Sequence, residues 1–95
     1  MIALAALADA IPAESSRTVA MDGLQFVPAL LTVKRGDEVR WVNNDLVAHT
    51  VTLRGVFDSG TIAPGKSWSQ VMQRAGRYNY VCTLHPTMKA VLVVE

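Results

Sequence analysis

Apolar and polar positions alternate along most of the chain beyond Arg17, and each alternating run stops at turn residues. Thr18–Met21 is a β-prone run closed by Asp22-Gly23. Leu31 and Val33 alternate with Thr32 and Lys34 ahead of Gly36-Asp37. Val39 and Trp41 flank Arg40 and lead to Asn43-Asn44. Val51 and Leu53 alternate with Thr50 and Thr52 before Gly55, and Asp58–Gly65 is rich in turn formers. Trp68, Gln70 and Met72 alternate with Ser69 and Val71. Tyr78, Tyr80 and Cys82 share one parity, and Ala90–Glu95 is nearly continuous in Val and Leu. Period-two alternation marks half-buried strands, whereas an amphipathic helix needs a period near 3.6. Short strands separated by turns predict an all-β chain folded as a β-sandwich of about seven or eight strands. Pro28, between two apolar stretches, predicts a bend or an edge strand.

The amino terminus departs from this pattern. Residues 1–10, MIALAALADA, are apolar and end in Ala8-Asp9-Ala10, an A-x-A pattern of the kind that closes a secretory signal. They are too short to span a bilayer, which takes about 20 apolar residues. They lack a basic leading region, so a second reading, a short Ala/Leu arm or helix against the domain, stays open. The expected division is therefore residues 1–10 as signal remnant or arm and 11–95 as one domain.

Composition narrows the function. The chain has 95 residues, 51% hydrophobic and 18% charged, with a net charge of +1. That balance excludes a disordered tail and gives no basis for binding nucleic acid by phosphate neutralisation. One cysteine excludes an internal disulfide. The soft and borderline nitrogen and thiolate donors are only His49, Cys82 and His85.

Cys82, His85 and Met88 stand in a C-x2-H-x2-M spacing just after a predicted strand and just before another. His49 opens a different strand, 33 positions before Cys82. In a two-sheet sandwich, the ends of distant strands meet at one pole. Two imidazoles, a thiolate and a weak axial thioether form the donor set of a blue-copper electron-transfer site. Each residue alone has an ordinary explanation: a surface histidine, a buried thiol, a core methionine. Their coincidence at one pole carries the metal reading. Zinc competes for a Cys/His2 set but gains little from Met88. A Cys/His nucleophile pair leaves His49 and Met88 without a role.

On these residues the chain resembles the cupredoxins, and among them it is most similar to the amicyanins. The short C-x2-H-x2-M loop and the stretch GRYNYVCTLHPTM (76–88) carry the likeness. VKRGDEVRWVNNDLVAH (33–49) and IPAES (11–15) add to it. The resemblance covers residues 11–95 and supports a boundary before Ile11. It implies a Greek-key sandwich and one type 1 copper ion. His49, Cys82 and His85 would be equatorial ligands and Met88 the axial one. Asn43 would brace the two ligand loops near the sulfur, and the Thr50 amide would act in the same region. Tyr78 and Tyr80 would be core aromatics.

Leu84, Ala48 and Thr87 depart from the amicyanin pattern, and the His49-to-Cys82 connection is shorter. Leu84 stands where the family has proline and restores an N–H, so the expectation is a hydrogen bond to sulfur and a raised potential. The resemblance further implies an apolar surface at Leu24, Val47, Ala48, Leu84 and Pro86 around His85. Redox proteins would dock there, an amine dehydrogenase and a c-type cytochrome among them, with the chain a monomeric periplasmic electron carrier and not an enzyme. Two alternatives remain open: a periplasmic copper-delivery protein using the same ligands without redox turnover, and a metal-free Ig-like adhesion module.

Overall fold

A computed structural model describes residues 15–95. The division at residue 10 therefore lies outside the described residues. Among those described there are nine strands and no α-helix. They are β1 (Ser16–Met21), β2 (Phe26–Val27), β3 (Leu30–Val33), β4 (Glu38–Asn43) and β5 (Thr52–Leu53). β6 (Phe57–Asp58), β7 (Ser67–Val71), β8 (Gly76–Val81) and β9 (Lys89–Val94) complete the set. The predicted runs are all present. The additional strands come from two-residue pieces, which are too short to display an alternation.

Two sheets form, with strand orders β2-β1-β4-β7 and β3-β9-β8-β5-β6. Both are mixed: β1 runs parallel to β4 and β3 parallel to β9, with the remaining strand pairings antiparallel. Pro28 stands between β2 and β3, which are edge strands of different sheets. It thus marks the bend where the chain leaves one sheet for the other, a place where a missing N–H costs no ladder bond.

The alternation decides which side chains face inward. In β4 the buried positions are Val39, Trp41 and Asn43, and in β9 they are Ala90, Leu92 and Val94. Trp41 of the first sheet meets Tyr80 of the second edge-on, with ring centroids 5.6 Å apart. Phe57 and Trp68 pack beside Trp41, and Phe26 meets Tyr80 edge-on at 4.9 Å. Edge-to-face contact sets the positive rim of one ring against the negative face of another. The Trp41 indole Nε1 donates to the Tyr80 hydroxyl at 3.1 Å, so the two sheets share a hydrogen bond through the core.

Burial raises the Tyr80 phenol to about 12, and the Trp41 hydrogen bond offsets this only in part. The unfolded chain ionises Tyr80 at an ordinary value of 10.0, before the folded protein does. Stability is therefore full below about pH 10 and declines as pH rises towards about 12. Tyr80→Phe is expected to reduce this alkaline loss, measured by urea unfolding across that range.

Candidate metal centre

Strand β8 delivers Cys82 to the pole of the sandwich. Tyr80 is buried in the core, and Cys82, two residues on, keeps the same inward parity and is fully buried. The chain then turns through 83–87 and returns as β9, with Val81 paired to Lys89. The Cys82 amide donates to the Met88 carbonyl at 3.1 Å, and the Met88 amide to the His85 carbonyl at 2.9 Å. These two bonds close the loop, leaving Met88 buried and His85 half-buried at the rim.

His49 comes from the other side. Its amide and carbonyl form an isolated antiparallel bridge with Ile62, at 3.1 and 2.7 Å, so its backbone is held outside any regular strand. His49 Nδ1 lies 3.6 Å from Cys82 Sγ, and His85 Nδ1 lies 3.9 Å from the same sulfur. The donor atoms of His49, Cys82 and His85 all fall within 4.8 Å of one another. Two imidazole nitrogens facing one thiol sulfur suit a borderline or soft transition metal.

Outer contacts orient two of these donors, His49 and Cys82. His49 Nε2 bonds to Asp45 Oδ2 at 2.7 Å, which leaves Nδ1 to face the sulfur. Partial burial raises the Asp45 carboxyl, but hydrogen bonds from His49, Leu24 and Gly23 outweigh it and hold the group below its usual value. The Thr50 amide donates to Cys82 Sγ at 3.3 Å. The Thr50 hydroxyl accepts the Thr83 amide at 2.9 Å and lies 3.0 Å from the Thr83 hydroxyl. Thr50 therefore ties the His49 segment to the Cys82 loop through both its amide and its hydroxyl.

Asn43 has a different task from the one expected. Its Nδ2 donates to the Val47 and Ile62 carbonyls, and its Oδ1 accepts the Asp45 amide. It folds the 44–48 loop and holds the strip bearing Ile62, while Thr50 and Thr83 join the two ligand loops. The Leu84 hydrogen bond to sulfur is also absent: the amide that reaches Cys82 Sγ belongs to Thr50. Asp45 and Thr83 escaped the sequence reading. A carboxylate four positions before His49 was the available signal for Asp45, since ligand histidines usually have such an outer partner.

A family model described as the cupredoxin-like domain matches residues 1–94. This chain belongs to that family. An amicyanin of Paracoccus denitrificans is 33% identical, over 98% of this chain and 85% of the relative. A chloroplast plastocyanin of Chlamydomonas reinhardtii is 32% identical, over 88% of this chain and 69% of that one. A solved Cu(I) form of an amicyanin variant superposes with a TM-score of 0.81 at 29% identity, covering 93% of this chain and 88% of that one. Together with the His49, Cys82 and His85 group, this makes the cupredoxin a small type 1 copper electron carrier and not an enzyme.

Thr50→Val keeps the amide donor to sulfur but removes the acceptor of the Thr83 N–H. The metal-free cupredoxin is expected to lose about 1 kcal/mol of stability, and Thr50→Ser to restore it, in urea unfolding.

Proposed function

We propose that this cupredoxin carries single electrons between protein partners, with Met88 completing the ligand set and His85 as the side chain joining the metal centre to the surface. The observation that supports this most directly is the convergence of two imidazole Nδ1 atoms on the buried Cys82 sulfur. Bound copper supplies the one-electron Cu(I)/Cu(II) couple. The chain supplies a site in which His49 and Cys82 are already held by outer hydrogen bonds, to Asp45 and from Thr50, which limits the rearrangement accompanying a change of charge. Met88 is buried and its backbone closes the ligand loop, so its thioether would be the fourth donor to a bound copper.

His85 is half-buried while His49 and Cys82 are sealed, so His85 offers the short way out. Exposed apolar side chains lie on the segments around it: Leu24 and Leu84 are about half exposed, Val47 is 43% exposed and Leu46 is 96% exposed. Pro86 is exposed and Ala48 half-buried. Leu46 stands in the same loop as Val47 and Ala48 and was not foreseen from the sequence. An apolar patch of this kind suits a transient docking face, since redox encounters bury less than about 1,200 Å². The partners we infer are redox proteins such as an amine dehydrogenase or a c-type cytochrome. A periplasmic setting accords with the likeness to amicyanins.

Three outcomes are expected. Cu(II) addition produces an intense blue absorption with reversible voltammetry; colourless binding of Cu(I) alone would instead indicate copper delivery. Copper at ~100 times its Kd raises the unfolding free energy by about 2.7 kcal/mol over the metal-free chain, seen as a higher Tm. Leu84→Glu or Leu46→Glu slows electron exchange with a c-type cytochrome by about tenfold, as loss of a docking contact near 1.4 kcal/mol requires, while the copper spectrum stays unchanged.

A further inference from the structure

The turn between β1 and β2 breaks a local rule. Asp22 and Gln25 close it by mutual backbone bonds of 2.9 and 3.2 Å. Its central residues, Gly23 and Leu24, both have positive φ, at 63° and 59°. Such a turn suits glycine or asparagine at both centres, and leucine is a poor choice for the left-handed region. Leu24 is also the one non-glycine residue with positive φ among the described residues.

Asp45 provides the compensation. Its Oδ1 accepts the Gly23 amide at 2.7 Å, and its Oδ2 accepts the Leu24 amide at 3.0 Å. The same Oδ2 meets His49 Nε2 at 2.7 Å. Three N–H groups, two from a surface turn and one from a buried imidazole, thus converge on one carboxylate. Only an acceptor with two oxygens serves all three. An amide in its place sets its NH2 against Gly23 in one orientation, or against Leu24 and His49 in the other.

We propose that Asp45 is a positioning residue that couples the Gly23-Leu24 turn to the sulfur-facing nitrogen of His49, so that the turn's shape tunes the metal centre. This rests on the electron-carrier reading above. The carboxylate holds the proton on Nε2, leaves the Nδ1 lone pair towards Cys82 Sγ, and makes the imidazole a stronger donor. A stronger donor favours the higher charge state of the metal. Displacement of the turn lengthens the bonds to Asp45 and weakens that effect. Leu24 lies on the inferred docking face, so pressure there reaches His49 through two hydrogen bonds.

The test uses the full chain with Asp45→Asn and, separately, Gly23→Ala. The second variant acts through the turn backbone alone, because a Cβ at Gly23 meets nothing within 4 Å but is strained at φ +63°. In the metal-free chain, Asp45→Asn is expected to speed amide hydrogen exchange at Gly23 and Leu24 and to shift the His49 ring nitrogen resonances. With copper, its affinity falls by about 10- to 100-fold and its reduction potential moves upward. Gly23→Ala shifts the His49 resonances and the potential in the same directions by less. Faster exchange in the turn with the His49 resonances, affinity and potential all at wild-type values overturns the proposal. So does a folded Gly23→Ala protein with wild-type His49 resonances and potential, which decides the matter if Asp45→Asn fails to fold. A wild-type chain without the blue absorption would remove the electron-carrier reading instead, while exchange and ring resonances of the metal-free variants would still decide the coupling.

Discussion

The metal pole depends on β8 keeping its side-chain parity beyond its last paired residue. Tyr80 is fixed inside the sandwich by the indole of Trp41, which reaches it from the opposite sheet. With Tyr80 inward, Cys82 is inward too, and the thiol arrives buried rather than exposed. A one-residue slip would turn the sulfur out to solvent and bring Val81 to the pole. The aromatic contacts in the middle of the domain are therefore also contacts that aim the ligand.

Around that sulfur, the chain spends many polar groups on orientation. Asn43, Asp45, Thr50 and Thr83 each make at least two hydrogen bonds in or beside the ligand segments. Among the described residues, no buried side-chain nitrogen or oxygen lacks a partner. Full satisfaction makes such a network rigid, whereas a single unmet donor would favour local opening. For an electron carrier, rigidity has a direct chemical value: donors that stay in place lower the rearrangement accompanying each change of charge.

The sheets were legible because one face of each long strand is apolar and the other polar. Val39-Arg40-Trp41 and Tyr78-Asn79-Tyr80 display this directly. Strands β2 and β6 were not legible, since two residues cannot show a period. The donors stood out through scarcity, the single cysteine and both histidines forming one group. Their supports were harder to find. Thr83 and Asp45 act through partners distant in sequence, such as Thr50 and the Gly23-Leu24 amides. No local pattern announces such pairings. Asn43 and Leu84 show the reverse failure: family likeness placed Asn43 beside the sulfur and a departure from the family suggested a Leu84 bond to it, but Asn43 bonds to Val47, Ile62 and Asp45, and the amide that reaches the sulfur is that of Thr50 from a distant segment.

The separation of His49 from Cys82 bears on how the centre comes into being. The segment between them includes β5, β6, β7 and β8, and the parallel pairs β1/β4 and β3/β9 also join remote segments. Loop closure of that kind has to precede any benefit from the contacts it creates, so such topologies assemble late. A nascent or partly folded chain offers a metal only the local Cys82, His85 and Met88 donors, without His49. The full donor group exists once both sheets have docked. The complete donor group, His49 included, is thus a product of the finished fold and not of any one segment of the chain.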